Sequence, residues 1–364
     1  MRAPARSSNI GRDDECGRFV LKRNQEVQRE MLTIDNRNIG EDRPTYVIAE
    51  IGINYNGSYN IAEQLVTSAA ECGVDAVKLQ IITAEKSYTP DSISHSIFKK
   101  NELSPEEWQG LVKLARNLEL TVFATFVNAN DLKSAEPLEL PAIKISSTNI
   151  TNFPLLKAIA RLGKPVILST GMGYLSEVDE AVRYLEERGL RKLGILHCSS
   201  LYPAAPENLN LRAIQTLKMA YPEYPIGFSD HTMGIHCTVA AVVCGAAIIE
   251  KHFSLDRDMD GPDHHFSATP QELKTLVAAL REVEAALGST RKHPVSGELQ
   301  LRKQFQRSLV AAVDIKQGQR LESEMLIPKR SPNKGIAPKH LDIVCGRRVR
   351  SNVSKDSPLT WDHI

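Results

Sequence analysis

The amino-acid sequence predicts a (β/α)8 barrel followed by a small, mostly β domain. Three observations carry this. Eight short β-branched runs alternate with amphipathic stretches between residues 45 and 288. Every run turns polar at its C-terminal end, where barrel enzymes place their chemistry. A doubly wound sheet is the alternative. It would call for a glycine-rich fingerprint after the first strand, and this chain has none.

The runs are T-Y-V-I-A-E-I at 45–51, V-D-A-V-K-L-Q at 74–80, L-T-V-F-A-T-F at 120–126 and A-I-K-I-S at 142–146. P-V-I-L-S-T at 165–170, L-G-I-L-H-C at 193–198, P-I-G-F-S at 225–229 and A-I-I-E-K-H-F at 247–253 complete the set. Eight units over about 240 residues is the size expected of such a barrel. Between them lie helical periods, at 61–73 and 175–189 among others, and each of these two ends in Gly as a helix C-cap should. Ser104-Pro105-Glu106-Glu107 reads as an N-cap with proline in the first turn.

The flanks differ. Residues 1–30 are polar and aperiodic, the composition of a disordered extension or of sequence upstream of the true start. Asp13, Asp14 and Glu15 oppose a transit peptide, and no signal-peptide apolar core is present. Met31 opens a strand-like segment where the compact protein is expected to begin. Beyond Gly288, residues 289–305 read as a linker. Residues 306–364 show short alternating runs with turn signals at Gln317-Gly318 and Ser331-Pro332-Asn333.

The chain has 364 residues and a formal net charge of +1, which points to no nucleic-acid or membrane-surface partner. No apolar run reaches the length of a membrane span. Six scattered cysteines without a C-x-x-C pair indicate reduced thiols and a cytoplasmic protein.

The polar residues at the run ends are Glu50, Asn54 and Asn56; Lys78 and Gln80; Thr125 and Asn128; and Lys144, Ser146 and Ser147. The later runs add Ser169 and Thr170; His197, Ser199, Ser200 and Tyr202; Ser229, Asp230 and His231; and Glu250, Lys251 and His252. Lys78 and Lys144 sit between apolar neighbours, where a lysine is costly unless it meets an anion. With Ser147, Ser169 and Ser229 close by, a phosphate or carboxylate fits. Structural ion pairs with Glu50 or Glu250 are one alternative, and a lysine Schiff base is another. His231, in G-F-S-D-H-T, and His252, in E-K-H-F, lie at the ends of neighbouring strands, a spacing suited to two ligands of one divalent cation. His236, His264 and His265 are weaker candidates. The acidic stretch 256–266 after the last strand suits a lid, with Asp263 its foremost candidate.

A-E-I-G-I-N at 49–54, V-K-L-Q at 77–80, K-P-V-I-L-S-T-G-M at 164–172, H-C-S-S-L-Y-P at 197–203, G-F-S-D-H-T, E-K-H-F and D-G-P-D at 260–263 together resemble the sialic acid (nonulosonic acid) synthase family over residues 31–364. The resemblance implies a (β/α)8 barrel with a C-terminal antifreeze-like (SAF) domain, in a domain-swapped homodimer. It implies condensation of phosphoenolpyruvate with an open-chain 2-acetamido sugar, using Mn2+ or Mg2+. His231 and His252 then match the metal ligands. Lys78, Lys144, Ser147, Ser169 and Ser229, with Thr125 near them, match the phosphoenolpyruvate contacts. Glu50, Gln80, Tyr202 and Asp263 match the sugar side, and Arg330 matches an arginine sent across the dimer. Catalytic work is expected of Glu50, Lys78, Lys144 and Asp263.

Two positions depart from the family pattern: Ser200 stands for an asparagine and Asn149 for an acid. They leave the acceptor open among N-acetylmannosamine and 2,4-diacetamido hexoses of the legionaminic or pseudaminic type. Two competing readings are a metal-independent Schiff-base aldolase using Lys144 and a non-catalytic carbohydrate- or ice-binding protein.

Overall fold

The computed structural model describes residues 31–364, so the expectation for residues 1–30 lies outside the described residues. The chain divides after Gly288 into two compact units. In the first, eight parallel strands close into a barrel: β3 (Tyr46–Gly52), β4 (Ala76–Gln80), β5 (Thr121–Thr125), β6 (Ile143–Ile145), β7 (Val166–Ser169), β8 (Leu193–Cys198), β9 (Ile226–Asp230) and β10 (Ile248–His252), with β10 pairing back onto β3. Strands buried on both faces need apolar side chains outward to meet helices and inward to fill the barrel, hence the β-branched runs.

The surrounding helices follow local chemistry. Ser104 accepts from the Glu107 amide at 3.2 Å while Glu107 accepts from the Ser104 amide at 2.7 Å, a reciprocal cap that starts Pro105–Asn117. Its Trp108, Leu111, Val112 and Ala115 recur at helical spacing and are buried against the barrel. The helix read at 61–73 spans Tyr59–Glu71, and the one read at 175–189 spans Leu175–Glu186.

The strand-like segment at Met31 is a hairpin, β1 (Leu32–Ile34) with β2 (Arg37–Ile39). Its two turn residues, Asp35 and Asn36, have φ of 44° and 63°, the left-handed backbone that Asp and Asn tolerate best. Leu32, Ile34 and Ile39 cluster with Ile48, Phe123, Ile167 and Leu196, sealing the barrel end opposite the polar strand termini.

In the second unit β11 (Ser308–Ala311) pairs antiparallel with β12 (Leu326–Lys329), around a core that includes Leu309, Leu321, Val344 and Leu359. The stretch 289–305, read as a linker, is irregular only in its first part. Ser296–Phe305 is a helix with no buried residue, begun by Glu298 accepting from the Val295 amide at 3.0 Å. A helix that buries nothing leaves no apolar stripe in its sequence, so periodicity had nothing to register. Among the described residues no helix is long and apolar enough to cross a membrane.

Candidate active site

Parallel register aligns the polar strand ends. Glu50 faces Lys78 across β3 and β4, Gln80 faces Thr125, Thr125 faces Lys144, and Glu250 faces Ser229. Side chains alternate along a strand, so Lys78 with Gln80, and Glu250 with His252, point into the barrel together. They open on a cavity of about 430 Å3 whose lining also includes Ser147, Ser169, Tyr202, His231 and Asp263.

The floor is a charge network. Lys78 Nζ lies 2.8 Å from Glu50 Oε2 and 3.5 Å from Glu250 Oε1, and donates to Thr125 Oγ1 at 3.2 Å. Lys144 Nζ donates to Ser169 Oγ at 2.6 Å and stands 3.7 Å from Glu250. Ser229 Oγ donates to Glu250 Oε1 at 2.9 Å, and Gln80 Nε2 donates to Glu50 Oε1 at 2.7 Å. Both lysines thus meet the carboxylates named as their structural alternative, and both still line the cavity.

Burial and charge pull these groups apart. Burial raises the Glu50 carboxyl to about 7 against the pull of Lys78. Burial alone would raise Glu250 too, but Lys144 and Lys78 hold it below the usual carboxylate range. Burial opposes the Lys78 ammonium, yet Glu250 and Glu50 keep its pKa above the ordinary value. Lys144 falls below the ordinary value, because burial outweighs Glu250. Burial also lifts Asp263 to about 6.

The wall is aromatic and imidazole. The His231 and His252 rings lie 5.3 Å apart, and the Tyr202 ring packs tilted against His231 with its centre 4.2 Å away. Burial lowers both histidines, His252 well below its usual value, so both rings are neutral near pH 7. His231 Nδ1 lies 2.6 Å from the Ser199 carbonyl oxygen. A proton on Nδ1 satisfies that bond and leaves Nε2 as a free lone pair. His252 Nδ1 is buried without a hydrogen-bond partner, and Asp263 Oδ2 lies 3.6 Å away. Two neutral imidazoles with unspent lone pairs, beside a carboxylate, are a donor set that could hold a divalent cation. Among the described residues no group of three or more His, Cys, Asp or Glu side chains is arranged to hold a metal ion, so the two histidines would have to share a cation with ligands from outside the chain.

Ser147 sits at the end of β6, where its Oγ accepts from the Gly171 amide at 3.0 Å and lies 3.1 Å from Cys198 Sγ. A Cβ at Gly171 would come within 2.9 Å of both Ser147 Oγ and Cys198 Sγ, so only glycine lets the backbone amide approach. Gly52, at the end of β3, has a left-handed φ of +56° that favours glycine, and a Cβ there would press 3.3 Å from Glu50 Oε1 and 3.4 Å from Asp263 Oδ2.

Several strand-end residues serve the scaffold instead. Asp230 and Lys251 point outward as a fully buried pair at 2.9 Å. Asn54 donates to the Phe253 carbonyl and to Ser267, Asn128 caps the helix Ala129–Ser134, and His197 lies 2.6 Å from the Leu209 carbonyl oxygen. His236 and His265 are exposed, whereas His264 is fully buried. Arg330 belongs to the second unit, its guanidinium 5.0 Å from the Phe305 ring centre. Sequence reasoning names Glu250 as a strand-end residue and as an ion-pair partner of the lysines, but gives it no role in the site. Its signal was available, because it shares an inward face with His252 two positions on.

Residues 65–292 match the NeuB family, and residues 306–364 match the SAF domain. The chain belongs to the NeuB family. It is 37% identical over 343 residues to the N,N'-diacetyllegionaminic acid synthase of Legionella pneumophila, covering 89% of this chain and 96% of that one. It is 41% identical to an uncharacterized protein of Methanocaldococcus jannaschii, covering 92% and 99%. The N-acetylneuraminic acid synthetase of Leptospira borgpetersenii, solved with citrate, superposes with a TM-score of 0.71 at 34% identity, covering 76% of this chain and 98% of that one. The NeuB-family region spans β4 to β10, and with them most of the cavity floor and both histidines.

Proposed function

We propose that this chain condenses phosphoenolpyruvate with an open-chain N-acetylated amino sugar, giving a nine-carbon 2-keto acid and phosphate. The observation that carries the reading is the buried Lys78–Glu50–Glu250–Lys144 network set beside two neutral histidines. An anion at the mouth of that network meets two ammonium groups and the hydroxyls of Ser147, Ser169 and Thr125, which suits a small phosphorylated carboxylate.

Held there, phosphoenolpyruvate has its C3 directed at the sugar aldehyde. The new C3–C1 bond forms as the carbonyl electrons move to oxygen, which takes a proton. Positive charge left at C2 lies near Glu250 and Glu50. Water adds at C2, and a carboxylate accepts its proton. Glu50 and Asp263, both lifted toward neutrality, are the candidates for that base. The C2–O bond to the phosphoryl group then breaks as the new C2 hydroxyl gives its proton to the departing phosphate, leaving the 2-keto acid and phosphate. Mn2+ or Mg2+, held by His231 and His252, would supply Lewis-acid polarisation of the aldehyde.

The cavity wall bears on the acceptor. Tyr88 and Phe98 stack at 5.3 Å, and with Ile82 and Ile97 they give the cavity an apolar part of its wall. Among the described lining residues Lys78 and Lys144 are the only lysines or arginines. An unphosphorylated acceptor with apolar acyl methyls fits such a wall, which favours a 2,4-diacetamido hexose over a sugar phosphate. The mouth carries exposed Met172, Tyr174 and Met233, apolar surface that suits cover by the small domain of a second copy. Free thiols at Cys72 and Cys198 suit a reducing cytoplasm.

The test is phosphate release from phosphoenolpyruvate and Mn2+ with N-acetylmannosamine or a 2,4-diacetamido hexose. Release with at least one acceptor, and a product of matching mass, is expected. No release with any acceptor overturns the reading. The lowered Lys144 favours one rival, the Schiff-base aldolase. That rival predicts borohydride trapping on Lys144 and no phosphate product.

A further inference from the structure

The reaction as drawn does not use His264, although it is among the most completely buried polar residues of the barrel unit. It sits in the stretch 256–266, next to Asp263. Its Nδ1 lies 2.6 Å from Ser254 Oγ. Ser254 spends its own proton on the Asp256 carbonyl oxygen at 2.7 Å, so the hydrogen between them comes from His264. With its proton on Nδ1, the other ring nitrogen, Nε2, is an acceptor; it lies 3.3 Å from the Asn56 side-chain amide in the loop after β3, and bonds it with that amide turned to donate its Nδ2–H. One imidazole thus ties the lid to the continuations of two adjacent barrel strands, β3 and β10. The backbone leaves little slack around it. A Cβ at Gly261, whose φ is +150°, would lie 2.6 Å from His264 Cδ2 and 3.0 Å from Asn56 Oδ1.

A second tie fixes the same peptide. Ser267 Oγ donates to the Asp263 carbonyl oxygen at 2.6 Å and accepts from Asn54 Nδ2, which also donates to the Phe253 carbonyl oxygen. Asn54, Ser254, His264 and Ser267 are all buried, and none lines the cavity. What the ties deliver into the cavity is the Asp263 carboxylate, 3.6 Å from His252.

We infer that His264 is a positioning residue: through Ser254 and Asn56 it locks the lid so that Asp263 stands over the acceptor end of the cavity. The inference rests on the proposed condensation. A carboxylate on an unlocked loop would spend binding energy on being ordered, so acceptor affinity suffers first.

The test is a double-mutant cycle on phosphate release. His264→Phe keeps the ring volume and removes both ties. It should raise KM for the sugar about ten-fold, the scale of coupling within one hydrogen-bonded network, with KM for phosphoenolpyruvate unchanged. In an Asp263→Ala background the same substitution should add almost nothing, because its effect passes through Asp263. His264→Asn, which can still donate to Ser254, should recover part of the loss. Equal rises in both KM values, or full additivity with Asp263→Ala, would show a merely structural histidine and overturn the inference. Should His264→Phe fail to fold, Asn56→Gly, which accepts the left-handed φ of 52° there, removes one tie at a partly buried site and must show the same sugar-only, non-additive pattern. No phosphate release from the wild-type chain would instead sink the condensation itself.

Discussion

Glu50 Oε2 lies 2.8 Å from Lys78 Nζ, on adjacent strands of the barrel, and both side chains are almost wholly buried. The pair does not leave Glu50 an ordinary carboxylate. Removal from water costs the anion more than one ammonium returns, so its pKa rises to about 7. Burial thus moves Glu50 toward a carboxyl able to take up and return a proton near neutral pH.

That shift has a signature in stability. A carboxyl raised in the folded state binds more protons there than when unfolded, so its contribution is full below the unfolded value near 4.5 and is lost as pH rises toward 7. Glu50→Gln removes the titration while keeping the bond from Gln80. Thermal unfolding at pH 5 and pH 8 should show the variant gaining on the wild type as pH rises, by at most about 3 kcal/mol. Parallel curves would mean that Glu50 titrates normally.

His231→Ala and His252→Ala should each reduce phosphate release to background, and EDTA should do the same to the wild-type chain, with far-UV circular dichroism unchanged. Each substitution removes one of two imidazole donors whose neutrality suits a cation. Full phosphate release in metal-free buffer would contradict the metal assignment.

Lys251→Met should behave differently. Lys251 pairs with Asp230, which also accepts from Thr238 Oγ1 and the Thr232 amide, all on the outer face of the barrel. Removing the lysine strands a buried carboxylate, at a cost of about 3–5 kcal/mol. Denaturation in urea should show that loss, and the double variant Asp230→Asn/Lys251→Met should recover much of it. A loss of activity without a loss of stability would place Lys251 in the chemistry.

The contrast between Lys251 and its neighbours shows how far one chain can be read. The barrel was legible because eight buried strands each write an apolar run. The mouth was legible because all eight turn polar at one end. Period-two alternation also separates Glu250 and His252, inward, from Lys251, outward, although a polar triplet invites treating all three alike. Other roles depend on partners distant in sequence. His264 works through Asn56, and Asn54 through Phe253 and Ser267, about two hundred residues apart, and no local pattern records such pairings. The helix Ser296–Phe305 was missed because it buries nothing.

Arg330 carries the last prediction. It lies just beyond β12 in the small domain, and the proposed homodimer sends it to the acceptor end of the partner's cavity. A guanidinium offers a planar fork to sugar hydroxyls or an acetamido oxygen, so Arg330→Ala should raise KM for the sugar more than that for phosphoenolpyruvate. Alone, Arg330→Ala and His252→Ala chains should both be impaired, the second completely. Mixed and allowed to exchange subunits, they should regain activity. In the heterodimer one cavity combines an intact His252 with an intact Arg330 from the other chain. Exchange can be followed by native mass spectrometry, which separates failure to mix from failure to complement. A mixture that exchanges and stays at the level of Arg330→Ala alone would mean that the arginine serves its own barrel or none, and the swapped arrangement would fall.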